Sequence, residues 1–211
     1  MGRGSSKAGG NGGGGGDIDP GRVVSTEDMI SNRGKFQSET DQVLTVARDL
    51  NGEYGYNING NFQVATLTKG SRAMAYYDGD GNIAINQKYM NTQKMNAAYD
   101  DCVASGFHPS RGNKSGIEAV AAHEYGHALT QGVADKLGHG NFDRAADEII
   151  NKARGKQKLA DFRAKVSGYG KKSNSEAIAE AVADVYCNGK KAKGASKAIV
   201  KVLKSYYTRR D

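Results

Sequence analysis

Apolar residues return at helical spacing through the first ordered-looking stretch, "SETDQVLTVARDL", where Val43, Leu44, Val46 and Ala47 share one side. This predicts a helix over 38–50, opened at Ser38 or Thr40 and stopped by Asn51-Gly52. Upstream, Ser25-x-x-Asp28 carries a second helix-start signal. The pattern then shortens to the β-prone runs "FQVATL" and "AMAYYDGDGNIAIN", with the glycine–aspartate stretch between Tyr77 and Ile83 closing a hairpin. Beyond it "MNTQKMNAAYDDCVASGF" reads as helical and "HPSRGNKSG" as a loop. The long segment "SGIEAVAAHEYGHALTQGVADKL" follows, begun by the capping box Ser115-x-x-Glu118 and given an apolar face by Ile117, Val120, Ala121, Ala128 and Val133. Helices over about 141–154, 174–187 and 195–207 complete the chain, the last setting Ile199, Val202, Leu203 and Tyr206 against Lys197, Lys201 and Lys204. Strands followed by helices predict an α+β fold, with a small mixed sheet or hairpin packed on the long helix and an all-helical C-terminal half.

Composition divides the chain in two. "MGRGSSKAGGNGGGGGDIDPG" cannot bury apolar surface, so residues 1–24 are expected to be a disordered glycine-rich tail before one domain over 25–211. The tail has no apolar core of a secretory signal, and no run approaches a membrane span; a cytoplasmic or virion-associated protein is expected. "MGRGSS" fits the loose pattern for myristoylation at Gly2, but low-complexity tails produce it freely. Two cysteines, Cys102 and Cys187, exclude a disulfide framework and are expected to be reduced and buried. The net charge of +7 is concentrated in the last third and favours acidic partners. No stripe of aromatics interleaves these charges, so nucleic acid is not the expected partner. "DGDGN" is not a calcium loop: counted from Asp78, the positions needing Gly and Glu hold Ile83 and Tyr89.

The chemistry concentrates in "HEYGH". On a helix, residues four apart share a face, so His123 and His127 can present two imidazoles to one ion, with Glu124 beside it as an acceptor of protons from water. Burying two imidazoles and a carboxylate among Ala121, Ala122, Ala128 and Leu129 without a partner costs several kcal/mol, which a cation removes. The donor types point to Zn2+. A third ligand is needed. The positions where a third histidine could continue the motif hold Thr130 and Val133, and His139 follows a helix end at Gly138. "SNSEAIAEAVADVY" supplies Glu176, Glu180 and Asp184 on one helical face, with alanines that permit close packing on the HExxH helix. Spacing alone leaves open which carboxylate binds, and Glu176 also completes the capping pattern Ser173-x-x-Glu176.

"HEYGHAL" followed by "SGYGKKSNSEAIAEAV" resembles the catalytic domain of anthrax lethal factor and the Pro-Pro endopeptidases, which are gluzincin metallopeptidases. The likeness covers Ala121 to Val185. It implies a zincin-like domain that hydrolyses peptide bonds with a metal-activated water. It implies His123, His127 and Glu176 as zinc ligands and Glu124 as general base. Tyr169 would face the developing oxyanion, and Glu180 would orient a ligand histidine from behind. Asp184 continues the run, so Glu180 and Asp184 also fit as the ligand and its support in other gluzincins. The resemblance further implies a protein or peptide substrate and a cleft-lining edge strand at "NIAIN", residues 82–86. The competing expectation is a catalytically silent zincin-fold component of a phage or mobile-element assembly.

Overall fold

The computed structural model describes residues 23–57, 62–138 and 140–208. Among these, a four-stranded sheet and seven α-helices form a mixed α+β fold whose C-terminal half is helical. The strands are β1 (Val23–Asp28), β2 (Phe62–Leu67), β3 (Ala75–Tyr77) and β4 (Ile83–Asn86). Their spatial order is β1-β2-β4-β3, with β4 parallel to β2 and antiparallel to β3. The hairpin expected around Asp78–Asn82 is present: Ala75 pairs with Ile85 and Tyr77 with Ile83. Asp78 accepts the backbone N–H groups of Asp80 and Asn82 at 2.8 and 3.0 Å, and Gly79 and Gly81 take φ of +88° and +99° that other residues resist.

Three expectations about this half are corrected. Ser25 to Asp28 lie in β1 rather than opening a helix, because Thr26, Glu27 and Asp28 pair with Ala65, Val64 and Gln63 of β2. Since β1 starts at Val23, the folded domain begins before residue 25; residues 1–22 of the expected tail lie outside the described residues. "NIAIN" is not an edge: β4 sits between β2 and β3 and is buried at every position, which suits the consecutive apolar Ile83, Ala84 and Ile85, while the buried Asn86 side chain donates to Ala73 O at 2.7 Å. The edge beside the long helix is β3.

Helix α1 (Gln37–Tyr54) runs past Asn51-Gly52, since Leu50 and Tyr54 continue its buried stripe. It stops at Gly55, whose φ of +61° makes the left-handed cap. Helix α2 (Thr92–Ala104) leads by a loop into α3 (Gly116–Lys136), which carries "HEYGH" and opens with the expected capping box. α3 is buried around nearly its whole circumference rather than on one face, because the sheet, α1, α2, α4 and α6 all pack on it. The rest of the chain wraps this axis with α4 (Phe142–Arg154), α5 (Leu159–Ala164), α6 (Asn174–Asn188) and α7 (Gly194–Thr208). α5 has no clear periodic signal in the sequence and is held by one buried side chain, Phe162. Cys102 and Cys187 are free and half-buried, and burial pushes the Cys187 thiol up to about 12.

The most extensive helix contact is α3 on α6, and it depends on small residues. A Cβ on Gly126 would stand 2.7 Å from Ala179 Cα and 3.2 Å from Val182 Cβ. Glycine on one helix and alanine on the other bring the two backbones together between the histidines and the glutamates.

Candidate metal centre

His123 and His127 stand one turn apart on α3 with ring centroids 5.0 Å apart. Glu176 lies in the first turn of α6. Ser173 Oγ accepts the Glu176 backbone N–H at 3.0 Å and so starts the helix. The Glu176 carboxylate turns to the histidines: its Oε2 is 3.2 Å from His123 Nε2 and 3.5 Å from His127 Nε2. These three atoms are buried and make no hydrogen bond among the described residues. One donor atom from each of the three residues lies within 4.8 Å of the others, so the group could hold a metal ion.

The separations are informative. Four donors set tetrahedrally at zinc-like bond lengths of about 2.0–2.1 Å lie roughly 3.3–3.4 Å from one another. The two Glu176 contacts, at 3.2 and 3.5 Å, bracket that edge. A histidine donating a good hydrogen bond would approach to about 2.9 Å.

Behind this face, Glu180 occupies the opposite side of the His123 ring: its Oε1 accepts from His123 Nδ1 at 2.8 Å. An ionised carboxylate only accepts, so Nδ1 carries a proton and Nε2 is the ring nitrogen turned toward His127 and Glu176. The same oxygen accepts from His108 Nδ1 at 2.9 Å. Glu180 is thus a support and Glu176 the carboxylate on the ligand side. Asp184 is not in the cluster. One of its oxygens takes the Asn188 side-chain N–H and the other the Lys193 backbone N–H, both at 2.9 Å, which closes the end of α6. Three helical turns of acidic residues therefore have three different duties. His139 lies outside the described residues.

Glu124 is fully buried beside the cluster, and Tyr169, in a short 3-10 turn, is buried with its ring centroid 5.8 Å from that of His123. Burial and the carboxylates of Glu176 and Glu124 hold the Tyr169 phenol far above its ordinary range, so its hydroxyl remains a donor. Tyr169 is fixed by its backbone N–H on Phe107 O at 2.9 Å. His108, left in an anonymous loop by its sequence, is the residue that sequence reasoning missed. The signal was composition: a chain with four histidines places His108, His123 and His127 together.

Electrostatics agree with a cation site. Burial works against charge on His123, but Glu176 and Glu180 overrule it and raise the imidazole well above its ordinary value. Burial likewise opposes the charge on Glu176, yet the two histidines bring that carboxyl down to about 2. Glu180 is held below the usual carboxylate range against the same burial by His108 and His123. A divalent ion held by this cluster would take the place of bound protons and release them. Comparison with protein-family models, with curated proteins and with solved structures finds no match to this chain.

Proposed function

We propose that the protein is a zinc-dependent endopeptidase of gluzincin type, with His123, His127 and Glu176 as ligands. The observation that carries this is the pair of tetrahedral-edge separations from Glu176 Oε2 to two unbonded imidazole nitrogens. Two imidazoles and a carboxylate are a zinc donor set, and three protein ligands leave a position for water or substrate. When bound, zinc supplies a Lewis acid that polarises a peptide carbonyl and acidifies water. Glu124, next to a ligand histidine and fully buried, takes the proton from the attacking water and returns it to the leaving amine. The Tyr169 hydroxyl, kept protonated, donates to the oxygen on which negative charge develops. Glu180 holds His123 in the tautomer that offers Nε2. An extended peptide adds to the sheet at β3, the edge strand packed beside α3.

A second reading draws on the enclosure of the cluster: His123, His127 and Glu176 are exposed by only 3%, 1% and 3%. A closed zinc site that stabilises a structural component is also enclosed. Such sites use four protein ligands, however, and three assemble here among the described residues. The test is zinc content of the purified protein together with cleavage of a mixed peptide library. Zinc binding with cleavage that Glu124→Gln abolishes while retaining the metal supports the peptidase. Zinc binding without cleavage supports the structural site, and undiminished cleavage by Glu124→Gln overturns the assigned base.

A further inference from the structure

We propose that His108 is a positioning residue for the ligand His123, acting through Glu180; this rests on the metal-site reading above. The geometry is a chain of fixed contacts. Glu180 Oε1 accepts from His123 Nδ1 at 2.8 Å and from His108 Nδ1 at 2.9 Å. The carboxylate torsion of a glutamate is soft, so one hydrogen bond leaves the group free to rotate. A second donor on the same oxygen, approaching from another element, fixes where that oxygen stands. Glu180 and His108 are exposed by 1% and 4%, so water does not readily replace either partner.

His108 is itself locked. Its ring stacks on Tyr99 of α2, with centroids 5.1 Å apart and planes 7° from parallel. Pro109 follows it and disfavours a helical backbone at His108. The strap Gly106–His108 is tied to α2 through the Phe107 and His108 N–H groups on Cys102 O, at 2.9 and 3.3 Å. On its other side the strap accepts from Gly168 and Tyr169, whose N–H groups reach Gly106 O and Phe107 O, both at 2.9 Å. A Cβ on Gly168 would meet Gly106 O at 2.8 Å, so the two strands of backbone are in close register. One short segment therefore sets both the orientation of His123 and the position of Tyr169. Its action on the metal passes through a single nitrogen, His108 Nδ1.

The test is zinc affinity of the full chain by competition with a chromophoric chelator. Three variants are compared. His108→Phe keeps a ring against Tyr99 and has no donor; His108→Asn offers an N–H near the place of Nδ1; His108→Gln offers one near the place of Nε2. Loss of an outer partner of this kind weakens metal binding by about 10–100-fold. His108→Phe and His108→Gln are expected to show that loss and His108→Asn to recover most of it, with the visible spectrum of the cobalt-loaded protein shifted in step. If His108→Phe does not fold, the contrast between Asn and Gln decides. Wild-type affinity in His108→Phe, or equal losses in Asn and Gln, overturns the proposal and leaves the metal site standing. A wild-type protein that takes up neither zinc nor cobalt overturns both.

Discussion

Gly126→Ala tests the close approach on which the site depends. The added Cβ would stand 2.7 Å from Ala179 Cα and 3.2 Å from Val182 Cβ. Carbon atoms in contact prefer about 3.5–4.0 Å, so a gap of roughly 1 Å must be opened. The obstructing atoms belong to the backbone and first side-chain carbon of α6, so no flexible end can swing away. α6 must move, and it carries Glu176 and Glu180 with it while His123 and His127 stay on α3. Overpacking of this size costs about 1–3 kcal/mol. Alanine returns about 1 kcal/mol of helix propensity, leaving a net loss of about 0–2 kcal/mol. The metal site is less forgiving, because ligand distances tolerate only about 0.2 Å. Zinc affinity is expected to fall on the order of 10–100-fold, the range that follows disturbance of groups orienting a ligand. Urea melts of the metal-free protein and chelator competition measure the two quantities separately. A variant that is more stable by its helix propensity and binds zinc like the wild type would refute the reasoning, since the helices could not then touch at Gly126.

Removing Glu176 and removing Glu180 should differ in kind. Glu176→Ala deletes a donor and should leave no stoichiometric zinc after dialysis, whereas Glu180→Ala should retain zinc with about 10–100-fold weaker affinity, both read by elemental analysis and competition. Tyr169→Phe should bind zinc normally and lose about 10²–10³-fold in kcat on a cleaved peptide, with KM little changed. The metal-free protein should lose stability in alkali. Burial disfavours charge on His108, but Glu180 outweighs it and raises His108 to about 9. A raised folded-state value contributes stability fully below the unfolded pKa of about 6.5 and surrenders it as pH rises through 9. The melting temperature of chelator-treated protein should therefore fall between pH 6.5 and 9.5, and a flat profile would count against the His108–Glu180 pair.

Sequence patterning went far with the helices and less far with the sheet. α3 and α6 were legible because capping residues mark their starts and alanine runs mark their burial. β1 was misread because Ser25 and Asp28 look like capping residues when their cross-strand partners, some forty positions away, are out of view. The place of β4 was misjudged for a related reason: four buried residues signal a covered strand, but strand order is a tertiary property. In the site, His123 and His127 share a face as their spacing predicts, and the carboxylate beside them, which spacing left open, is Glu176. Asp184 shares their helical periodicity but serves the end of α6, since a face one turn further along meets a different neighbour. His108 was invisible because a loop histidine has no periodicity; only its contact with Glu180 gives it meaning.

The last of the described strands to leave the ribosome, β4, occupies the middle of the sheet. Its antiparallel neighbour is reached through the short Asp78–Asn82 bend, while its parallel neighbour lies across the longer Thr68–Asn82 excursion. Ring-closure entropy thus favours a preassembled β3–β4 ribbon that then zips onto β2. Lengthening the bend slows that assembly more than it weakens the finished sheet, because each doubling of a loop costs only about 0.6 kcal/mol at equilibrium.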